Sequence, residues 1–222
     1  MSNLDAWSFS RFDCYELCPL QFKLKFIDKL STTSSPQMAR GLEVHQEIAN
    51  YLKAPDRSPF PSVNHKADII TELTNFDNKV VEQQWGFDRH WKPTGWFSKG
   101  PKKTWLRQIL DVGVLYEDMT SEAVDWKTGK HRESHEDQME LQALCVMQRI
   151  PAVTHVTTRL VYVDADSEEF GEYSAKDREA MIEKWEAKVA PMFNDTEFLP
   201  RPNEKCKWCD FSRSKGGPCK YG

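Results

Sequence analysis

The chain has no apolar run approaching the roughly 20 residues that a membrane-spanning helix needs. At a mean hydropathy of −0.67, 39% hydrophobic and 29% charged, it has a soluble, globular composition. Its opening, MSNLDAWSFSRFD, lacks a basic segment followed by an apolar one. This predicts a cytoplasmic protein in a reducing compartment with no membrane association. No G-x-x-x-x-G-K-[ST] loop occurs, so no nucleotide-driven motor is encoded. Internal repeats and low-complexity tracts are also absent. Net positive charge is missing too: the balance is −4 over 222 residues, which by itself does not mark a nucleic-acid binder.

The most informative residues are Asp125-Trp126-Lys127 and Asp111 upstream. Segments 105–116 (WLRQILDVGVLY) and 122–128 (EAVDWKT) are rich in β-branched and aromatic residues, and the polar link EDMTS joins them as a hairpin. Centred near Asp118, paired positions sum to 236, which sets Asp111 opposite Asp125. Opposed residues have Cβ atoms about 4.5–5.5 Å apart. Lys127 shares the face of Asp125, and Trp126 points the other way. Two carboxylates and an ammonium suit a hydrolase that binds Mg²⁺ or Mn²⁺, because hard cations prefer oxygen ligands. D-x-K alone is a short motif that also fits a solvated ion pair.

Charge is unevenly spread. Residues 88–105 (DRHWKPTGWFSKGPKKTW) hold five basic residues and one acid, a local +4, interleaved with Trp91, Trp96, Phe97 and Trp105. Basic groups such as Arg89, Lys92, Lys102 and Lys103 can neutralise phosphates, and rings such as Trp91 and Trp96 can stack on unpaired bases. The competing reading is a surface loop whose tryptophans plug the core.

Six cysteines in a reducing compartment suggest metal rather than disulfides. Cys206-x-x-Cys209 is a chelating unit, and Cys219 follows ten residues later. Cys18 is the fourth ligand chosen here, with Cys14 one helical turn away as the alternative. Such a set would clamp the N-terminal segment, 1–37, to the cysteine-rich tail, 199–222, of a single 1–222 domain. Cys₄ holds either zinc or an iron–sulfur cluster, and the spacing does not decide. Free thiols are the alternative for the tail, while Cys145, among apolar neighbours, reads as a buried structural thiol.

Periodicity and capping predict a helix over 7–30 broken near Pro19, capped by Ser8 or Ser10, then a polar linker at 31–37. A second helix at 38–52 carries Met38, Leu42, Ala49 and Leu52 on one stripe together with His45. A proline-rich loop at 54–64 and a third helix at 67–78 follow. Strands are expected at 80–87, 155–164 and 168–173, with helices at 136–149 and, capped by Ser174, at 176–193. Helices first, then strands around a central helix, give an α/β or α+β core.

These residues resemble the RecB-type nucleases of the PD-(D/E)XK superfamily, in particular the iron–sulfur branch that includes the AddB nuclease domain and small CRISPR-associated exonucleases. SFSRFDCYELCPLQFKLKFIDKL resembles that branch's opening helix, whose Cys-Pro supplies a cluster ligand at Cys18. ARGLEVHQEI resembles its Gly-x-x-x-His helix, implying that His45 binds metal. VEQQWGF implies a catalytic Glu82, ILDVGVL the motif Asp111, AVDWKTGK the pair Asp125 and Lys127, and CKWCDF with Cys219 the cluster segment. The family's Gln-x-x-x-Tyr is half present: Gln138 fits, but Gln142 stands where tyrosine is expected. The last cysteine spacing is also longer than usual, SRSKGG being extra.

The resemblance implies an α/β restriction-endonuclease-like core, a mixed sheet flanked by helices, with N-terminal helices and a cysteine-rich tail. It also implies a metal-dependent exonuclease acting on single-stranded DNA in recombination, repair or processing. Asp111, Asp125, His45 and the backbone carbonyl of Trp126 would hold one or two Mg²⁺ or Mn²⁺ ions. Cys18, Cys206, Cys209 and Cys219 would hold a [4Fe–4S] cluster, or zinc. A helicase or recombination partner would supply the missing motor. A cysteine-stapled nucleic-acid-binding module without catalysis is the reading from another class, and an RNA-directed nuclease is the third.

Overall fold

The computed structural model of the chain describes residues 4, 6–33, 35–132 and 134–222. Residue 34, in the expected 31–37 linker, falls outside them. Two compact units divide the chain: Met1–Ser34 with Glu183–Gly222, and Ser35–Ile182.

The larger unit is built on α3 (Pro36–Lys53), α4 (Ala67–Thr74), β1 (Lys79–Phe87), β2 (Pro93–Thr94), β3 (Leu106–Leu115), β4 (Thr120–Lys127), α5 (Ser134–Arg149), β5 (His155–Tyr162) and β6 (Ser167–Ser174). The strands form one six-stranded sheet in the order β2-β1-β3-β4-β5-β6. Only β4 and β5 run parallel; every other neighbouring pair is antiparallel. A parallel pair needs a crossover, which α5 supplies. The result is the mixed, helix-flanked α/β sheet that the sequence led us to expect.

The β3–β4 hairpin has the expected register, Val112 with Val124 through Leu115 with Ser121, so paired positions sum to 236. Its turn is fixed by Asp118, whose Oδ1 accepts from the Thr120 amide at 3.0 Å and hydroxyl at 2.7 Å. Alternation then sorts the faces. Val112, Val114, Val124 and Trp126 pack under α3 and α4 against Val44, Ile48, Leu52, Ile69, Ile70 and Leu73. Asp111, Asp125 and Lys127 occupy the alternate positions. α5 is buried on most of its circumference, from His135 and Met139 to Met147.

Several boundaries differ from the sequence reading. The third helix ends at Thr74, with its C-cap at Asn75. On α3, Met38 is 52% and Leu42 72% exposed, so they are not on the core stripe. The buried face is Val44, Ile48, Ala49 and Leu52, rotated from the expected one; Ala49 and Leu52 belong to both. Ser35 caps this helix by accepting from the Met38 amide at 3.2 Å.

In the smaller unit, α1 (Phe9–Leu17) and α2 (Pro19–Phe22) are separated at Cys18, which is extended at φ −164°. Pro19 disfavours helical backbone in the residue before it and suits the first turn of a helix, so the expected break occurs. Ser8 sits at the N-cap of α1, but its hydroxyl meets Ser10 Oγ and caps no amide. A π-helical turn, Lys23–Ile27, extends α2 without a sequence signal. The last long helix, α6 (Arg178–Asn194), is preceded by a 3₁₀ turn, Ala175–Asp177, whose Lys176 amide Ser174 caps. Trp185 of α6 stacks on Trp7 at 5.7 Å, with Phe12 edge-on at 5.5 Å. Among the described residues no helix is long and apolar enough to cross a membrane.

The two readings of α3 are separable by urea unfolding. Ile48→Ala empties a fully buried position and is expected to lose about 2–5 kcal/mol. Leu42→Ala is expected to change stability by no more than about 0.5 kcal/mol; equal losses would restore the sequence-derived stripe.

Candidate active site

The centre of interest lies where β3 and β4 part. Their backbone ladder reaches Val112 and Val124 and goes no further toward Asp111 and Asp125. In place of the next ladder bond, the Trp126 amide donates to Asp111 Oδ2 at 3.1 Å. β1 is disturbed at the same level. Its pairing with β3 passes from Val81–Val112 to Gln83–Leu110 and skips Glu82, which has a left-handed φ of 54°. A side chain on a regular strand alternates between the two faces; the left-handed residue breaks that alternation and re-aims Glu82.

α3 brings His45 to this gap. His45 Nδ1 lies 3.2 Å from Asp111 Oδ2 and Nε2 lies 2.8 Å from the Trp126 carbonyl. The approach is close at Gly41, where a Cβ would meet the Thr128 side-chain Oγ1 at 3.3 Å. One ligand atom from each of His45, Glu82 and Asp111 lies within 4.8 Å of the others. Three of the predicted residues therefore converge on one point, with the Trp126 carbonyl beside them. The donors, two carboxylates and one imidazole, fit a divalent cation with a preference for oxygen.

Asp125 is held differently from the expectation that it shares one ligand set with His45 and Asp111. It is 4% exposed and not a member of the group just named. Its Oδ2 makes a 2.5 Å ion pair with Lys127 Nζ that lacks hydrogen-bond alignment. Its Oδ1 accepts from Gln138 Nε2 at 2.7 Å and from Gln142 Nε2 at 2.8 Å. Gln138 Oε1 in turn accepts from Lys127 Nζ at 2.9 Å. Gln142 occupies the position where the family pattern has tyrosine, and it contacts the motif carboxylate directly. Its spacing of four from Gln138 on a helix was the available signal. Its Oε1 is buried without a partner.

Charge explains the protonation pattern. Burial, followed by the Asp125 charge, raises the Asp111 carboxyl above its ordinary range. Burial, followed by Asp111, does the same to Glu82. Burial would lower His45, but the hydrogen bond to Asp111 and the charges of Asp111 and Asp125 outweigh it and carry the imidazole to about 9. The cationic ring thus offsets part of the negative charge gathered here.

The basic stretch is only partly as expected. Trp91 is 2% exposed and packs edge-on against Trp105 at 5.3 Å, so its ring is not presented for base stacking. Arg89 lies over Trp105 at 4.6 Å. Phe97 is 71% exposed instead, with Arg107 over its ring at 4.7 Å and over Trp96 at 5.6 Å. Lys92, Lys102 and Lys103 are exposed.

Within the smaller unit, backbone donors reach two of the predicted sulfur ligands: Arg201 N to Cys18 Sγ at 3.4 Å and Asn203 N to Cys206 Sγ at 3.3 Å. Burial, with further contributions from Cys18, Cys219 and Cys206, raises the Cys209 thiol. Burial pushes the Cys14 thiol up to about 12. Cys145 is fully buried, as expected.

A sheet parted at two acidic residues, with a lysine two positions on, defines a carboxylate–lysine centre of the restriction-endonuclease-like type. A family model described as the PD-(D/E)XK nuclease superfamily matches residues 6–113 and 106–214, and the chain belongs to that superfamily. Among solved structures, that of SSO0001 is similar at a TM-score of 0.52 and 15% identity, over 99% of this chain and 88% of that one. A protein from Eubacterium rectale named as a candidate exonuclease is similar at a TM-score of 0.50 and 11% identity, over 92% of this chain and 87% of that one. At such identities the likeness is one of fold. No curated protein sequence matches.

Two measurements probe this geometry. Glu82→Gly should be more stable than Glu82→Ala by about 1 kcal/mol, because only glycine occupies the left-handed region without strain; equal stabilities would mean that Glu82 relaxes there at no cost. Gln142→Met should destabilise by about 1–2 kcal/mol, the lost charge-assisted bond being partly offset by removal of the unpartnered oxygen. No change in the unfolding midpoint would deny Gln142 any part in holding Asp125.

Proposed function

We propose that this chain is a metal-dependent deoxyribonuclease of the RecB-like, iron–sulfur branch, working as an exonuclease on single-stranded DNA in recombination, repair or processing. The observation that carries the reading is the parted β3–β4 pair, where Asp111 and Asp125 face each other beside Lys127. His45, Glu82, Asp111 and the Trp126 carbonyl would hold Mg²⁺ or Mn²⁺, with Asp125 completing the set. When bound, such an ion supplies Lewis acidity at the phosphate and a lowered pKa for its water.

The chain's own residues do the rest. Lys127, paired with Asp125 and Gln138, places an ammonium where it can orient the attacking water or stabilise charge on phosphorus. Gln138 and Gln142 fix the Asp125 carboxylate, and His45 fixes that of Asp111. The water oxygen bonds to phosphorus, the bond to the leaving sugar oxygen breaks, and that oxygen leaves with a proton. Exposed Arg89, Lys92, Lys102, Lys103 and the Trp96–Phe97 pair suit a path for an unpaired strand. Cys18, Cys206, Cys209 and Cys219 would carry the [4Fe–4S] cluster, or zinc, in a structural role, since hydrolysis needs no electron. A helicase partner would supply unwinding, in the cytoplasm.

Digestion of end-labelled single-stranded DNA with Mg²⁺ or Mn²⁺ tests this. Wild type should release nucleotides from an end, and Asp125→Ala and Lys127→Met should each lose roughly 10²–10³-fold or more in rate. A folded, metal-replete wild type that cuts no DNA would leave a cysteine-stapled nucleic-acid-binding module. Iron and acid-labile sulfide, lost in Cys18→Ser, are expected after anaerobic purification; zinc in their place would overturn the cluster.

A further inference from the structure

A second group of metal-ligating side chains lies outside the carboxylate–lysine centre. His131, His135 and Glu169 each offer a ligand atom within 4.8 Å of the other two. They come from the loop after β4, the first turn of α5, and β6. His131 Nδ1 is in contact with Glu169 Oε1. The two imidazoles stand nearly perpendicular, 79° apart, with centroids separated by 6.0 Å. An exposed His–Glu ion pair would account for two of these residues, since His131 is 55% exposed. It does not account for His135, which is 8% exposed.

His135 is held in place by a hydrogen bond. Its Nδ1 lies 2.7 Å from the Tyr162 hydroxyl, and the Glu169 carboxylate interacts with that hydroxyl. In the tautomer that donates Nδ1–H to the phenol, Nε2 is left as the lone-pair donor. Fixing one imidazole nitrogen so that the other can bind metal is the usual support for a histidine ligand. Burial and the nearby Lys127 ammonium keep this imidazole neutral at neutral pH, its pKa lowered to about 4. The group borders an open cavity of about 510 Å³ lined by His131, Glu136, Met139, Glu169, Phe170 and Tyr173.

We propose that His131, His135 and Glu169 form a separate binding site for a borderline transition ion of the zinc class, with a fourth coordination position open to this cavity. Two imidazoles and one carboxylate select such an ion, whereas the carboxylate-rich centre at Asp111 selects a harder one. Metal–ligand bonds of about 2.0–2.2 Å set two ligands of one ion no more than about 4.3 Å apart. Rotation of the exposed His131 ring can supply the closure. The open position would accept water or an oxygen anion.

Calorimetric titration of the folded full-length chain with Zn²⁺ alone tests this, and it needs no DNA, so its outcome is independent of nuclease activity. Wild type should take up one equivalent more than His131→Ala and one more than Glu169→Gln, or bind that equivalent at least tenfold more tightly. Asp111→Asn should keep it, and zinc taken up by the cysteines is common to all four proteins. Both side chains are partly exposed, and circular dichroism verifies that the variants fold. Unchanged stoichiometry and affinity in both variants would overturn the site. If His131→Ala lowers zinc uptake no further in an Asp111→Asn background, the ion belongs to the carboxylate–lysine centre and its separateness is overturned.

Discussion

Two carboxylates set opposite each other on neighbouring strands, both buried, repel one another in a medium that screens poorly. Much of the larger unit can be understood as the answer to that constraint. The ladder stops at Val112 and Val124, so that Asp111 accepts the Trp126 amide through its side chain. His45 brings a positive ring to Asp111, and Lys127 brings an ammonium to Asp125. α3 comes close enough for His45 to reach, with Gly41 facing the Thr128 side chain. α5 must lie across β4 so that Gln138 and Gln142 can donate.

The hairpin was legible because strands alternate with a period of two and a short polar link leaves few registers. Asp111 and Asp125 follow from the arithmetic of the turn alone. Helix faces were less legible. On α3, Met38, Leu42, His45, Ala49 and Leu52 recur at helical spacing, yet the buried face lies along Val44, Ile48 and Leu52. Periodicity gives a stripe but does not say which of two overlapping stripes meets the sheet. Trp91 shows a similar limit: a tryptophan in a basic loop can stack on a base or plug a core, and only packing against Trp105 decides. The left-handed φ at Glu82 was invisible, since glutamate gives no local signal for that backbone. Gln142 was legible only in its spacing of four from Gln138, which sets both amides on one side of the helix.

The smaller unit poses another physical problem. It is assembled from the two ends of the chain, and its apolar interior rests on a few aromatic rings around Trp7, Phe22 and Trp185. A small core contributes little net stability, and units of this size commonly need a staple. The proposed cluster ligands Cys18 and Cys206 are near the ends of a very long loop, and closing a longer loop removes more unfolded-state entropy, though only logarithmically. An ion held by these cysteines would act in the same direction as the aromatic stacking, and Thr33 adds a hydrogen bond to Asp210 at 2.6 Å. That is sufficient reason for the cysteines without giving them any part in hydrolysis.

α5 connects the carboxylate–lysine centre with the proposed second metal site. His135, Gln138 and Gln142 fall at i, i+3 and i+7 and so share one side of the helix. A helix this deeply buried loses stability for every polar side chain left without partners. Here His135 is bonded to Tyr162, Gln138 to Asp125 and Lys127, and Gln142 to Asp125. Gln142 Oε1 is left without a hydrogen bond among the described residues. Three satisfied polar contacts on one stripe fix the rotation of the helix about its axis more tightly than apolar packing alone, because a turn of a few tens of degrees would orphan all of them together. An ion on His135 would hold the first turn of that helix to β6 through Glu169, while the next turns hold Asp125. The two sites would then share a rigid element without sharing a ligand, so occupancy of one could steady the other's carboxylate with no change in its chemistry.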